Sequence, residues 1–477
     1  MTIRIGNGAG FWGDNLDAPR RLVESAELDY LTLEYLAELT LSILARLREK
    51  DPQAGYAHDF LPVLQSLAPA LAAQPKLKLV TNAGGMNPHA CARAAAASLT
   101  AAGLGDLPIG VVAGDDLAPR LAELQAAGHA FNNLDDGRPL SDLKQPIVSA
   151  NAYLGAQPIA AALVGGARIV ITGRVADASL TVGPAMREFG WSWTDWDKLA
   201  AASVAGHLIE CGAQATGGYF TGWDTNDLAN VGYPIAELEA DGSTTITQPP
   251  NSGGRVTRDT VRAQLVYEIG DPRHYLTPDV DCDFTSVSIA EAGANRVHVV
   301  GARGAPAPDT LKVSLAYRDG FMADGRLLVY GDDCLTKAEA CANIIWAKLR
   351  QAGYEYARTN MELLGAGQAV PGLARPPAGL REVVLRLAVH DPRREAVERF
   401  TREFAPLATS GPAGLAGYTQ ARGEVRPVFA YWPTLVPRKF LRPTIEVLPA
   451  HTWATHSTAP TINSERRNNP SATGKGV

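Results

Sequence analysis

The stretch LKLVTNAGGMNPHACARAA, Leu77 to Ala95, constrains the fold most, because it carries strand, turn and helix signals in consecutive order. Leu77, Leu79 and Val80 supply an apolar strand. Asn82 to Gly85 follow as a turn in which Gly84 and Gly85 allow close backbone approach. Asn87 and Pro88 then match an N-cap and a proline at the first helical position. A helix starting there points unpaired N–H groups over the turn, which favours a carboxylate or phosphate, with His89 on its first turn. An ordinary tight strand-to-helix connection is the competing reading.

The same order recurs along the first half of the chain. PIGVVAGDD leads into LAPRLAELQAAG, Asn151 and Tyr153 follow the strand PIVSA, and Gly173, Arg174 and Asp177 follow ARIVIT ahead of another helix. The repetition predicts an α/β fold with an N-terminal, mostly parallel sheet flanked by helices, whose ligands collect at the carboxyl ends of the strands. Arg174 can grip a carboxylate or phosphate through two parallel hydrogen bonds with Asp177 orienting it or acting as a base; a structural Arg–Asp pair explains the same letters.

Other residues join this edge by spacing. Glu34 and Glu38 stand where an apolar strand gives way to a helix, as catalytic acids or as dipole partners. His207, Glu210 and Cys211 stand at i, i+3 and i+4 on one helical face, as an acid–base pair, a ligand set or a buried polar patch. No HExxH motif supports zinc, and no metal site is expected. Gly8, Gly10 and Gly13 satisfy the G-x-G-x-x-G pattern, with Glu34 about where a ribose partner belongs. Phe11 and Trp12 are bulky where a pyrophosphate needs access, and Asp14 adds a negative charge, so this turn is expected to face a substrate through Asp14 rather than hold a dinucleotide. A dinucleotide-dependent oxidoreductase is the alternative.

Past Asp224 the texture shifts to hairpin-like strands and Gly/Pro turns, with a dense polar run between Glu268 and Asp279 that reads as a solvated loop or a lid. Three parts are expected: an α/β domain over 1–224, an α+β domain with antiparallel strands over 225–448, and a disordered polar tail over 449–477. A net charge of -6 with 20% charged residues gives no basic field for nucleic acid, and five scattered cysteines suit a reducing compartment. Without a signal peptide or a long apolar run, a cytoplasmic protein with no membrane association is expected, and a homo-oligomer.

The motifs GFWGD, DYLTLEYLAELT, NAGGMNP, NAYLGA, TGRVADASL, GHLIECGAQATGG, GYPIAEL, GGRVT and QLVYEIGDPRHYLTPDV, in this order, resemble the acyclic terpene utilisation protein A family. The resemblance implies a role in bacterial breakdown of citronellol- and geraniol-like terpenes through acyl-CoA intermediates. An enzyme without a redox cofactor then fits: a lyase, hydro-lyase or isomerase acting on a branched carboxylic acid or its ester, with a CoA thioester as part of the substrate. Glu34, Asp177, His207 and Glu210 are the candidate catalytic residues. Asp14, Asn82, Gly84, Gly85, Asn87, Asn151, Tyr153, Gly173 and Arg174 are the candidate substrate-binding residues. Glu34, Asn82, Asn87, Arg174, Asp177, His207 and Glu210 are expected to line one cavity. Many family members continue into a small C-terminal module that this chain replaces with a polar tail, so a separate small subunit is an expected partner. A non-catalytic subunit that binds such a partner is the second reading.

Overall fold

The computed structural model describes residues 1–370, 372, 374–417 and 423–456. The chain-ordered strands β1 (Thr2–Asn7), β2 (Tyr30–Leu33), β3 (Lys78–Thr81), β4 (Pro108–Ala113), β5 (Ile147–Ala152) and β6 (Ile169–Thr172) dominate the first part. Five of them form a parallel core in the order β1-β2-β3-β6-β4. Both faces of this core are covered, which is why β2 and β6 are buried at every residue instead of alternating. On one face Ile3, Ile5, Val80 and Val170 meet Leu180 and Leu208 from the helices Ser179–Phe189 and Trp196–Glu210. On the other, Leu31, Leu79 and Ile171 meet Leu64 and Cys91 from the helices Phe60–Ala73 and Pro88–Ala101.

Antiparallel strands extend the core to ten strands. β7 (Ile235–Glu239) pairs with β1, followed by β8 (Thr244–Thr247), Arg296–Val300 and Ser288–Gly293, while Thr444–Pro449 closes the other edge against β4. A second, antiparallel sheet is built on the 21-residue strand Thr310–Tyr330, paired with Arg426–Pro437, Glu382–Asp391 and Leu415–Gly417. Its own core lies under the helices Cys334–Gln351 and Arg394–Thr401, around Ile345, Leu385 and Phe400. The α/β architecture with an antiparallel C-terminal part is as expected. Sheet membership nevertheless crosses residue 224 in both directions, since β7 and β8 belong to the first sheet and β5 to the second.

Two local expectations are corrected. Asn151 and Tyr153 were expected on a turn of the parallel sheet, but β5 pairs antiparallel with Thr310–Tyr330, because β6 takes the place between β3 and β4. Within the stretch expected as a disordered tail, Ala450–Thr455 is a helix whose Trp453 is fully buried and donates from Nε1 to the Ile109 carbonyl at 3.0 Å. One large aromatic supplies enough apolar area to dock a segment whose average composition is polar. Residues 457–477 lie outside the described residues. Among the described residues no helix is long and apolar enough to cross a membrane.

Trp453→Ala is expected to destabilise the protein by about 3 to 5 kcal/mol, as for other buried large aromatics. Urea denaturation of the two proteins checks this; an unchanged midpoint would return the helix to the tail.

Candidate functional site

The turns after β1, β2 and β6 meet one cleft of two lobes, of about 580 and about 520 Å³. Both lobes are bordered by Glu38, Arg174, Asp177, Glu210 and Glu268. Arg174 is the hub. It leaves β6 on a turn held by Asp115, whose carboxylate accepts from the Arg174 N–H at 2.8 Å and from Asn151 Nδ2 at 2.8 Å. Gly173 has to be glycine here, since a Cβ would overlap the Asp115 carboxylate. The guanidinium is 2% exposed, donates to the Leu36 carbonyl at 3.1 Å, pairs with Asp177 at 3.0 Å and lies 3.9 Å from Glu34. It also covers the Tyr153 ring at 4.1 Å.

Burial shapes the charges around it. Glu34 is buried, its pKa driven well above the usual carboxylate range by desolvation and by the Asp177 charge, against the pull of Arg174. Asp177 is likewise raised, by desolvation first, yet 34% of its side chain stays open to the cleft. Glu38 behaves oppositely. Burial opposes its charge, but Lys312 at 3.1 Å and the Tyr153 hydroxyl donating at 2.8 Å bring its pKa down to about 2. One Arg-centred cleft thus holds carboxyl groups pushed toward different protonation states.

His207 and Glu210 form a second unit at the end of Trp196–Glu210. Asn7, at the end of β1, donates to the carbonyls of Ile209 and Glu210 at 2.7 and 3.0 Å, so the sheet itself fixes this helix end. His207 Nε2 lies 2.9 Å from the Gln264 carbonyl, which can only accept, so that nitrogen carries a hydrogen. Nδ1 lies 2.9 Å from Glu210 Oε1, and a single proton shared there leaves the pair neutral overall. Desolvation raises the Glu210 pKa to about 7, partly offset by His207; burial is the largest influence on His207 and works against its charge, but the hydrogen bond and charge of Glu210 together with the Gln264 and Leu265 backbone raise that pKa overall. Glu210 Oε2 is buried without a protein partner.

The sequence-derived residues divide into those at the cleft and those behind it. Glu34, Tyr153, Arg174, Asp177, His207 and Glu210 border it, and Asp14 borders the second lobe. Asp14 accepts from Gly10 N–H at 2.8 Å and from the Tyr233 hydroxyl at 2.5 Å, so its carboxylate fills the space over the glycine turn that a pyrophosphate would need. Asn82, Gly84, Gly85, Asn87, Asn151 and Gly173 do not line the cleft, which corrects the single-cavity expectation for Asn82 and Asn87. Asn82 is fully buried, accepts from Tyr35 N–H at 2.8 Å and donates to Glu34. A Cβ on Gly84 would stand 2.5 Å from the Thr172 carbonyl, and Gly85, at φ 48°, packs on Leu44. Asn87 caps its helix, accepting from Ala90 N–H at 3.3 Å and donating to the carbonyls of Pro52 and Ala54. The NAGG turn is therefore a packing junction and no open anion cradle.

Asp115, Asn7 and Lys312 escaped sequence reasoning. Asp115 follows β4 in GDD and was findable by the strand-end rule, and Gly114 has φ 103° there. Asn7 ends β1 and was open to the same rule, whereas Lys312 sits inside a strand and carries no local signal. Among the described residues no group of three or more His, Cys, Asp or Glu side chains is placed to hold a metal ion.

The fold and cleft define an α/β protein with a buried acid–base cluster at the carboxyl end of a parallel sheet. The chain belongs to the acyclic terpene utilisation family AtuA, whose family model matches residues 3–447. Comparison with curated proteins and with solved structures gives no match.

The His207–Glu210 pair predicts a pH dependence of stability. Glu210 titrates near 7 when folded against 4.5 as a free side chain, so between those values the native state binds more protons than the unfolded chain and stability falls as pH rises. His207 and Glu34, both raised, act with the same sign. Glu210→Gln cannot ionise, and its melting temperature is expected to decline less than the parent's between about pH 5 and about pH 8. Identical slopes would contradict the shared proton.

Proposed function

We propose that the chain is a catabolic enzyme of the lyase, hydro-lyase or isomerase type that moves a proton on a branched carboxylic acid, or its acyl-CoA ester, in acyclic terpene breakdown. The observation that carries this reading is the His207–Glu210 pair beside the partly open Asp177 carboxylate in one cleft. Groups whose surroundings push their pKa values apart can serve as acid and base near neutral pH. Asp177, the more open of the two acids, takes or gives the proton at the substrate carbon. Glu210, with His207 behind it, serves the opposite position. Arg174 keeps the Asp177 carboxylate aimed into the cleft, and no redox cofactor enters this chemistry.

A second reading, a subunit that binds a small partner protein, draws on exposed aromatics by the second lobe. Tyr219 borders that lobe and is largely exposed, as is Trp223 four residues later. Aromatic enrichment is a mark of interface cores, whereas the acidic residues between the lobes are not.

Heavy-water exchange tests the first reading. A branched acid of the citronellol type and its CoA ester, incubated with the protein in deuterium oxide, are expected to gain deuterium at the carbon beside the carbonyl. Asp177→Asn and Glu210→Gln should slow this by roughly 100-fold or more, the usual contribution of a general acid or base. Exchange that is absent from the folded parent, or unchanged in both variants, would overturn the proposal.

A further inference from the structure

The first lobe is lined by two kinds of side chain. Beside the acid–base cluster it carries Leu134, Leu276, Pro278, Pro308, Leu311 and Leu435, with Thr277, Thr310 and Lys312 among them. Leu134, Leu276 and Leu435 come from three distant chain segments and are 53%, 62% and 36% exposed. Single exposed leucines are ordinary, but three converging on one cavity beside a catalytic cluster are a patch with a use.

Their backbones are anchored. Leu134 N–H donates to the Pro433 carbonyl at 2.9 Å, which ties the first wall to the strand that carries Leu435. Arg438 donates to the carbonyls of both Pro278 and Pro308 and so clamps two walls together. Asp279 accepts from Ala156 N–H at 2.7 Å and from the Ser179 hydroxyl at 2.5 Å, which fixes the loop after Leu276 to two helix starts. Apolar side chains held open on a fixed framework lose little entropy when a ligand covers them.

We propose that these apolar residues are the seat of the ligand's hydrocarbon chain, bound with its polar head at Asp177 and Glu210 and its chain against Leu134, Leu276 and Leu435. The assignment rests on the acid–base reading for the position of the head. It adds that chain length is the property the site selects. The lobe of about 580 Å³ lies in the range that holds small ligands.

The test is calorimetric binding of butanoate, hexanoate, octanoate and decanoate, with the matching alcohols to remove the head-group charge. Affinity is expected to rise roughly fourfold for each methylene that enters the lobe, then level off once it is full. Leu134→Ser and Leu276→Ser, both at exposed positions and so tolerated by the fold, should flatten that rise while leaving butanoate binding as it was. A flat series in the parent, or an unchanged rise in both variants, would overturn the hydrocarbon seat. Heavy-water exchange that persists alongside a flat series would leave the acid–base reading standing, and a steep series without exchange would remove that reading and keep the seat.

Discussion

A buried guanidinium is the constraint on which the site depends. Arg174 cannot lose its proton, so its charge has to be met inside the protein, and Asp177, Glu34, the Leu36 carbonyl and the Tyr153 ring meet it from four directions. Those groups come from the ends of β2 and β6 and from the second sheet. The ion therefore ties residues from both sheets together at the cleft, and it holds acidic side chains together that would otherwise repel. Arg174 borders both lobes and its Nε has no hydrogen-bond partner, but the charges and ring packed on the rest of the guanidinium make organising the site its first role.

The same low-dielectric setting separates the acids. Glu38, facing Lys312 and a tyrosine hydroxyl, is held charged, while Glu34 and Glu210 are pushed toward the protonated form by desolvation. Close carboxyl groups with different proton affinities are a means of doing acid–base chemistry near neutrality without a cofactor.

Much of this was legible in the sequence because strand-end turns follow a local rule. Gly173, Arg174, Asp177 and the helical spacing of His207 and Glu210 announced themselves, and the parallel core followed from the repeated strand, turn and helix. Long-range pairing was not legible. β5 reads like any parallel strand, and only its partner Thr310–Tyr330 shows that it belongs to the other sheet. Asn82 and Asn87 carry the letters of an anion site, yet Gly85 in their turn is packed by Leu36, Leu44 and Gly55, residues whose proximity no local pattern encodes. Trp453 was hidden for the opposite reason, as one decisive apolar contact in a polar stretch.

The most direct measurement of this account is the unfolding free energy of Arg174→Ala and Arg174→Lys, taken alongside ligand affinity. Removing one partner of a buried ion pair costs about 3 to 5 kcal/mol, and lysine cannot reach the Leu36 carbonyl and Asp177 while covering Tyr153, so both variants should lose stability on that scale. Variants as stable as the parent that lose only ligand affinity would contradict it, and would make Arg174 a substrate clamp and not the ion that holds the site together.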